Sequence, residues 1–112
     1  MQPTLPRLLA LCAIGATAVG GQVAASAASA KTVTLRDIAF TPKSLSIARG
    51  TTVSFEWRDE DTSHTVTSRG AKRFTSIAAR EIGSRARKFT KAGTYRYVCT
   101  LHPGMSGRIT VR

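Results

Sequence analysis

Two short segments of the chain carry side chains that bind transition metals. Cys99, His102 and Met105 are separated by two residues each in the segment CTLHPGM, and His64 lies earlier, in DTSHTVTS. A thiolate and two imidazoles in one plane, with a weak axial thioether, form a donor set that suits copper. Zinc accepts Cys and His but gains little from Met, and a catalytic zinc needs an open position. The spacing therefore predicts a site for one copper ion, Cu(I) or Cu(II).

Each of these residues has a simpler explanation when it is taken alone. A single Cys in a strand is usually a small buried hydrophobe, a Met beside a turn usually packs in the core, and a single His is usually a surface or satisfied core residue. The chain has only two Cys and two His, which excludes a four-ligand zinc finger, a Cys-dense disulfide scaffold and a multi-copper oxidase. Both His and the second Cys fall on the pattern, so we favour the copper site.

The elements that must position these side chains are β-strands. Apolar residues alternate with polar ones in five short runs, and turn signals rich in Gly and Pro separate the runs. The alternating residues are Val33 and Leu35; Leu45 and Ile47; Val53, Phe55 and Trp57; Tyr95, Tyr97 and Cys99; Ile109 and Val111. This pattern predicts an all-β protein, an antiparallel sandwich or barrel with Greek-key links. In such a sandwich the strand ends near His64 and Cys99 can meet at the same pole.

The first thirty residues have the order of a secretory signal peptide. Arg7 precedes the apolar run LLALCAIGATAV, and small residues then lead to Ala28-Ser29-Ala30, an A-x-A cleavage pattern. We therefore predict a signal peptide over residues 1–30, a single domain over residues 31–112, and a periplasmic or secreted protein. Retention of the segment as a membrane anchor is the alternative. Cleavage leaves Cys99 as the one cysteine, and an unpaired thiol in an oxidising compartment is a liability unless a metal occupies it.

The chain resembles the small cupredoxins, the blue type 1 copper proteins of the plastocyanin, pseudoazurin and amicyanin class. The resemblance is carried by CTLHPGM, by the upstream DTSHTV, and by the framework stretches FTPKSLSIARGTTVSFEW and FTKAGTYRYVCTLHPGMSG. It implies a Greek-key two-sheet β-sandwich of about seven to eight strands. It also implies that His64, Cys99, His102 and Met105 bind one copper ion, and that the protein is not an enzyme but a one-electron carrier between redox partners.

The resemblance assigns roles to four residues beside the ligands. Thr65 and Thr100 match positions that tie the two ligand segments together by hydrogen bonding, and such outer contacts fix ligand orientation. Electrons are expected to leave through the exposed edge of His102, within an apolar patch formed with Leu101 and Pro103.

The chain departs from the family over residues 83–89. Family members commonly place an aromatic residue three positions after a glycine, on a strand that faces the core. Here Ala86 follows Gly83 at that distance, and the spacing to Phe89 looks one residue short. The register of this strand therefore stays open at the level of the sequence.

The charge of the chain points to an anionic partner. Lys and Arg number 17 against 6 Asp and Glu, and the formal net charge is +11. Many of the basic residues fall between Arg69 and Lys91, whereas the one acidic cluster, Asp59-Glu60-Asp61, lies just before His64. We expect a redox protein with an acidic surface, such as a cytochrome or a redox enzyme. A merely solvated surface and contact with a membrane surface are the alternatives; we expect no nucleic acid, and a monomer.

Two other functions remain open at this point. The same ligands could hold Cu(I) for trafficking or buffering, in which case the protein would transfer the metal rather than an electron. The chain could also be a copper-free interaction module on the same scaffold, which would bind its partner equally well after Cys99→Ser. A shared fold does not decide between these functions, because one sandwich hosts many of them.

Overall fold

A computed structural model describes residues 30–112 of the chain. The predicted signal peptide therefore lies outside the described residues, apart from Ala30, which begins the first strand. No helix within residues 30–112 is long and apolar enough to cross a membrane. The strands are β1 (Ala30–Arg36), β2 (Ala39–Thr41), β3 (Ser44–Ile47), β4 (Thr51–Arg58), β5 (His64–Arg69), β6 (Ile77–Arg80), β7 (Ile82–Phe89), β8 (Gly93–Val98) and β9 (Ser106–Val111).

The strands form two sheets, and the predicted all-β sandwich is confirmed. One sheet has the order β2-β1-β4-β7, and the other has the order β3-β9-β8-β5-β6. The expectation of purely antiparallel pairing was wrong for two pairs, because β1 runs parallel to β4 and β3 runs parallel to β9. The chain leaves the first sheet after β2, contributes β3 to the second sheet, and returns in β4. This crossover places β4 beside β1 in the same direction.

The apolar residues that alternate with polar ones in the sequence lie on the buried face of each strand. Along β4, Thr51, Val53, Phe55 and Trp57 are buried, and the residues between them are half-buried. Burying one large aliphatic or aromatic side chain contributes roughly 1.5–3 kcal/mol, so this alternation fixes which face of each strand meets the other sheet. The buried apolar residues of residues 30–112 form one core: Val33, Leu35, Phe40, Ile47, Val53, Phe55, Trp57, Val66, Ile77, Phe89, Tyr95, Tyr97, Cys99, Met105, Ile109 and Val111.

Tyr97 lies at the centre of this core and explains a glycine in the neighbouring strand. Its ring makes edge-to-face contacts with Phe40 and Phe55, at centroid distances of 4.8 and 5.6 Å. Gly107 is its cross-strand partner, and a Cβ at Gly107 would lie only 2.7 Å from atoms of the ring. The Tyr97 ring therefore requires glycine at position 107. Burial also raises the pKa of Tyr97 above its usual range.

The register of the strand over residues 83–89 is defined by its pairing with β4. Phe89 pairs with Thr51 and Ala86 pairs with Ser54, so Ala86 shares the outward face. The positions aligned with the core face are Arg85 and Arg87. The missing aromatic residue is replaced from a loop, because Phe74 stacks on Phe55 at 6.1 Å and contacts Phe89 at 5.3 Å. Arg87 closes this edge by donating to the carbonyl oxygens of Thr75 and Ser76.

Candidate metal centre

Three potential metal ligands converge at the end of the sandwich where β5 begins and β8 ends. His64, Cys99 and His102 each offer one ligand atom, and these atoms lie within 4.8 Å of one another. The Cys99 Sγ atom is 3.4 Å from Nδ1 of His102 and 4.0 Å from Nδ1 of His64. His64 and Cys99 are buried, whereas His102 is half-buried. The topology thus brings together three of the four residues that the sequence pattern singled out.

The spacing of these atoms fits a metal ion. An ion bonded to an imidazole nitrogen at about 2.0 Å and to a thiolate at about 2.3 Å, in a trigonal plane, holds the two ligand atoms about 3.7 Å apart. The two nitrogen–sulfur distances lie on either side of this value. One thiol and two imidazoles are also the in-plane donors of a blue-copper site. The residues present therefore fit copper.

Met105 is held close to Cys99 by the backbone of residues 99–105, which we call the ligand loop. The amide of Cys99 donates to the carbonyl oxygen of Met105 at 2.9 Å, and the amide of Met105 donates to the carbonyl oxygen of His102 at 3.1 Å. The Met105 side chain is buried in the core. The loop thus folds back on itself, so that its first and last residues are neighbours at one end of the core.

Thr65 connects the start of β5 to the ligand loop. Its amide donates to the Cys99 Sγ atom at 3.4 Å, and its Oγ1 accepts from the amide of Thr100 at 3.0 Å. The Thr65 and Thr100 hydroxyl oxygens are 3.3 Å apart. These contacts join the segment that carries His64 to the loop that carries the other candidate ligands.

Asp59 contacts the candidate site, although the sequence pattern did not single it out as a site residue. Its Oδ2 lies 2.9 Å from Nε2 of His64 and accepts from the amide of Asp37 at 3.0 Å. This hydrogen bond with His64 is the largest cause that lowers the pKa of Asp59, and partial burial opposes it. With Nε2 donating to Asp59, the lone pair of His64 is on Nδ1, which faces Cys99. The signal in the sequence is the acidic cluster Asp59-Glu60-Asp61 immediately before His64.

The backbone of His64 is fixed from the opposite side by Trp57. The indole Nε1 donates to the carbonyl oxygen of His64 at 2.7 Å, within the buried core. The guanidinium of Arg80 lies over the Trp57 ring, 5.5 Å from its centroid, a distance at which a cation–π contact is favourable. His64 is therefore held by its main chain and by its ring before any metal is bound.

The predicted exit patch lies at the surface of the ligand loop. Leu101 is 50% exposed and is one of the large apolar side chains within residues 30–112 that remain in solvent. Pro103 is exposed as well, and His102 between them is half-buried. The ring centroids of His102 and His64 are 4.9 Å apart. His102 is therefore the one candidate ligand that reaches both the cluster and the surface.

Fold and site together define the class of protein. The chain belongs to the cupredoxin-like family, because the family described as "Cupredoxin-like domain" matches residues 8–111. The resemblance noted in the sequence is therefore confirmed. A comparison with functionally curated proteins gave no match.

Solved structures with the same fold include copper proteins. A reduced amicyanin variant is 28% identical with a TM-score of 0.65, and the alignment covers 74% of this chain and 82% of that one. A purple cupredoxin from Nitrosopumilus maritimus is 21% identical with a TM-score of 0.66, covering 73% and 99% of the two chains, and it supports the fold alone. A copper-containing nitrite reductase from Thermus scotoductus SA-01 is 32% identical with a TM-score of 0.62; the alignment covers 72% of this chain but only 22% of the reductase.

Proposed function

We propose that this protein binds one copper ion through His64, Cys99, His102 and Met105 and carries single electrons between redox partners. The observation that carries the proposal is the convergence of the Cys99 thiol with Nδ1 of both histidines, at one end of a cupredoxin sandwich. Copper supplies the one-electron step when bound, because it alternates between Cu(II) and Cu(I).

The chain's contribution is to hold the ligands in one arrangement. His64 is fixed by Asp59 and Trp57, and the Cys99 sulfur accepts from the amide of Thr65. Ligands held in this way need little rearrangement when the charge of the site changes, which favours rapid electron exchange. Four protein donors leave no open coordination position for a substrate, so we propose a carrier rather than an enzyme.

The ligand loop provides the route to a partner in this proposal. His102 is half-buried between the exposed side chains of Leu101 and Pro103, so a docked protein can contact the imidazole through a small apolar patch. The partner we propose is a redox protein with an acidic surface, because the chain carries a formal net charge of +11. We further propose that the protein is exported to the periplasm or the medium, on the basis of the signal-peptide pattern in residues 1–30. We propose that it acts there as a monomer.

The test is a Cu(II) titration of the purified protein, followed by visible absorption and electron paramagnetic resonance spectroscopy. We expect one equivalent of copper, an intense blue colour and a narrow copper hyperfine splitting, all lost on reduction. The matched control is Cys99→Ser, which should abolish the colour while leaving the sandwich folded. Colourless binding with ordinary hyperfine splitting would contradict the proposal. Tight binding of Cu(I) without the blue form would instead favour copper trafficking.

A further inference from the structure

Three arginines stand side by side on the outer face of the five-stranded sheet. Arg69 on β5 pairs in register with Arg96 on β8, and Arg96 pairs with Arg108 on β9. All three are exposed, whereas the residues next to them on β8 and β9, Tyr97 and Gly107, are buried. We call these three residues the arginine row. The residues come from distant parts of the sequence, so the row exists only in the fold.

The arginine row has no carboxylate partner within residues 30–112. The arginines in ion pairs there are Arg36 and Arg58. Strands β3, β5, β6, β8 and β9 contain no acidic residue. The acidic side chains lie between β1 and β2 (Asp37), on β4 (Glu56), between β4 and β5 (Asp59, Glu60 and Asp61) and between β6 and β7 (Glu81). Like charges directly opposite each other on neighbouring strands are destabilising. The row therefore lowers the stability of the sheet unless an anion binds to it.

The row lines one groove together with Lys43, Ser44 and Ser106. Arg108 Nε donates to the Ser44 hydroxyl at 3.0 Å and Lys43 Nζ to the Ser106 hydroxyl at 3.2 Å, which fixes two of the cations along one wall. No side-chain hydrogen bond within the described part of the chain engages the guanidinium of Arg69 or Arg96. A guanidinium binds a carboxylate through two parallel hydrogen bonds. The guanidinium groups of Arg69 and Arg96 are therefore available to bind carboxylates of another molecule.

The position of the row relates it to the candidate metal centre. Arg96 on β8 precedes Cys99, the first residue of the ligand loop, by three residues, and Arg108 on β9 follows Met105, the last residue of the loop, by three residues. At 3.3–3.4 Å per residue, the row lies about 10 Å along the sheet from the ligand loop. A protein whose acidic groups sit on the row can therefore also cover the end of the sheet where His102 reaches the surface.

We propose that the arginine row is the docking surface for a protein partner that presents a cluster of carboxylates at about the 4.8 Å spacing of neighbouring strands. That this partner is a redox protein rests on the proposed function, whereas the binding of carboxylates by the row does not. Docking on the row orients the partner over the Leu101–Pro103 patch, and the row sets which face of the sandwich the partner approaches.

The test is a titration of the 15N-labelled protein with poly-L-glutamate, followed by NMR chemical shifts. The titration is run on both the Cu(I)-loaded and the metal-free protein, so that a failure of copper binding leaves the docking result readable. We expect the largest shifts at the amides around Arg69, Arg96 and Arg108 in both forms, and weaker binding as salt is added. The largest shifts at another face would overturn the proposal.

Two triple variants separate the arginine row from net charge. Arg69→Gln/Arg96→Gln/Arg108→Gln should weaken poly-L-glutamate binding about tenfold, since it removes three exposed ion pairs with the polymer, each of which contributes modestly. The row triple should also unfold at the same temperature as the parent protein or higher, because it removes repulsion within the row. The single variant Arg96→Gln provides the same readout if the triple does not fold.

The matched control removes the same charge from other surfaces. Arg49→Gln/Arg85→Gln/Lys88→Gln changes three exposed residues that lie outside the row, and it should weaken binding less than about threefold, through long-range electrostatics alone. Equal losses in the two triples would reduce the effect to net charge and overturn the proposal. The protein could instead bind inorganic polyphosphate or phosphatidylglycerol vesicles more tightly than poly-L-glutamate, and lose this binding in the row triple. That result would show that the row binds phosphates, and it would also overturn the proposal.

Discussion

The two histidines of the candidate metal centre differ in how the fold holds them. His64 is completely buried, its ring contacts Asp59, and its carbonyl oxygen accepts from Trp57. His102 lies in the ligand loop, is half-buried, and its ring nitrogen contacts the Cys99 sulfur. The difference indicates that the two histidines have different roles. Under the proposed function, His64 is held in place before copper binds, and His102 completes the site while its ring stays accessible to a partner.

The largest expected difference between the two histidines is in how much their replacement lowers the free energy of unfolding of the metal-free protein. His64→Ala leaves a cavity at a completely buried position, so we expect the free energy of unfolding to fall by about 2–4 kcal/mol. His102→Gly removes a half-buried side chain from a loop and should change it by less than about 1 kcal/mol. Urea denaturation of both variants measures the difference. Equal losses would mean that the fold does not distinguish the two positions.

The second effect concerns electron exchange at the surface. His102→Gly should retain the sandwich but lower the electron exchange rate at least about tenfold, because the imidazole that reaches the surface is gone. Leu101→Ala is the matched control, since it alters the apolar patch and leaves all proposed ligands in place. Line broadening in mixtures of oxidised and reduced protein gives the rate. An unchanged rate in His102→Gly would place the exit elsewhere on the molecule.

Met105 tests whether the ligand loop also tunes the site. Met105→Leu conserves volume in the core and should cost less than about 1.5 kcal/mol of stability. The reduction potential should rise, because the weak axial donor to Cu(II) is lost. Voltammetry of the copper-loaded variant measures the shift. An unaltered potential would show that Met105 only packs in the core.

Asp59 provides the smallest and most specific comparison. Asp59→Asn removes the negative charge that His64 contacts, so Cu(II) is less favoured and the potential should rise by less than it does in Met105→Leu. Glu60→Gln is the control, because it removes the same charge from the exposed neighbour in the same loop. Electron paramagnetic resonance should also report a reoriented imidazole in Asp59→Asn alone. Identical shifts in the two variants would reduce Asp59 to one more surface charge.

The sequence predicted those features that depend on local periodicity and short spacing. Alternation located the core strands, and the two-residue steps of CTLHPGM located the ligand loop. The parallel β1–β4 and β3–β9 pairs were not predicted, because a hydrophobic pattern specifies which face is buried but not which strand is the neighbour. Asp59 was missed for a related reason, since its contact with His64 depends on the path of the loop after β4.

The positions of the basic residues on the surface were also not predictable from the sequence. The basic residues between Arg69 and Lys91 are concentrated in the sequence, but in the fold they lie in different places. Arg80 covers Trp57 and Arg87 closes the edge of the core. The cations that stand together come from three separate strands, and only cross-strand register brings them side by side. Counting basic residues in a sequence window gives the charge per length of chain. A partner protein interacts with the charge per area of the folded surface, which the window does not give.

The contact between Trp57 and His64 has a practical consequence. Trp57 is the only tryptophan in the chain, it is buried, and its Nε1–H donates to the carbonyl oxygen of a proposed ligand residue. The ultraviolet emission excited through the indole therefore comes from a single fluorophore whose surroundings change whenever the backbone at His64 moves. Metal loading, opening of the site and global unfolding can each be followed by emission wavelength and intensity, in the native protein and without an added dye.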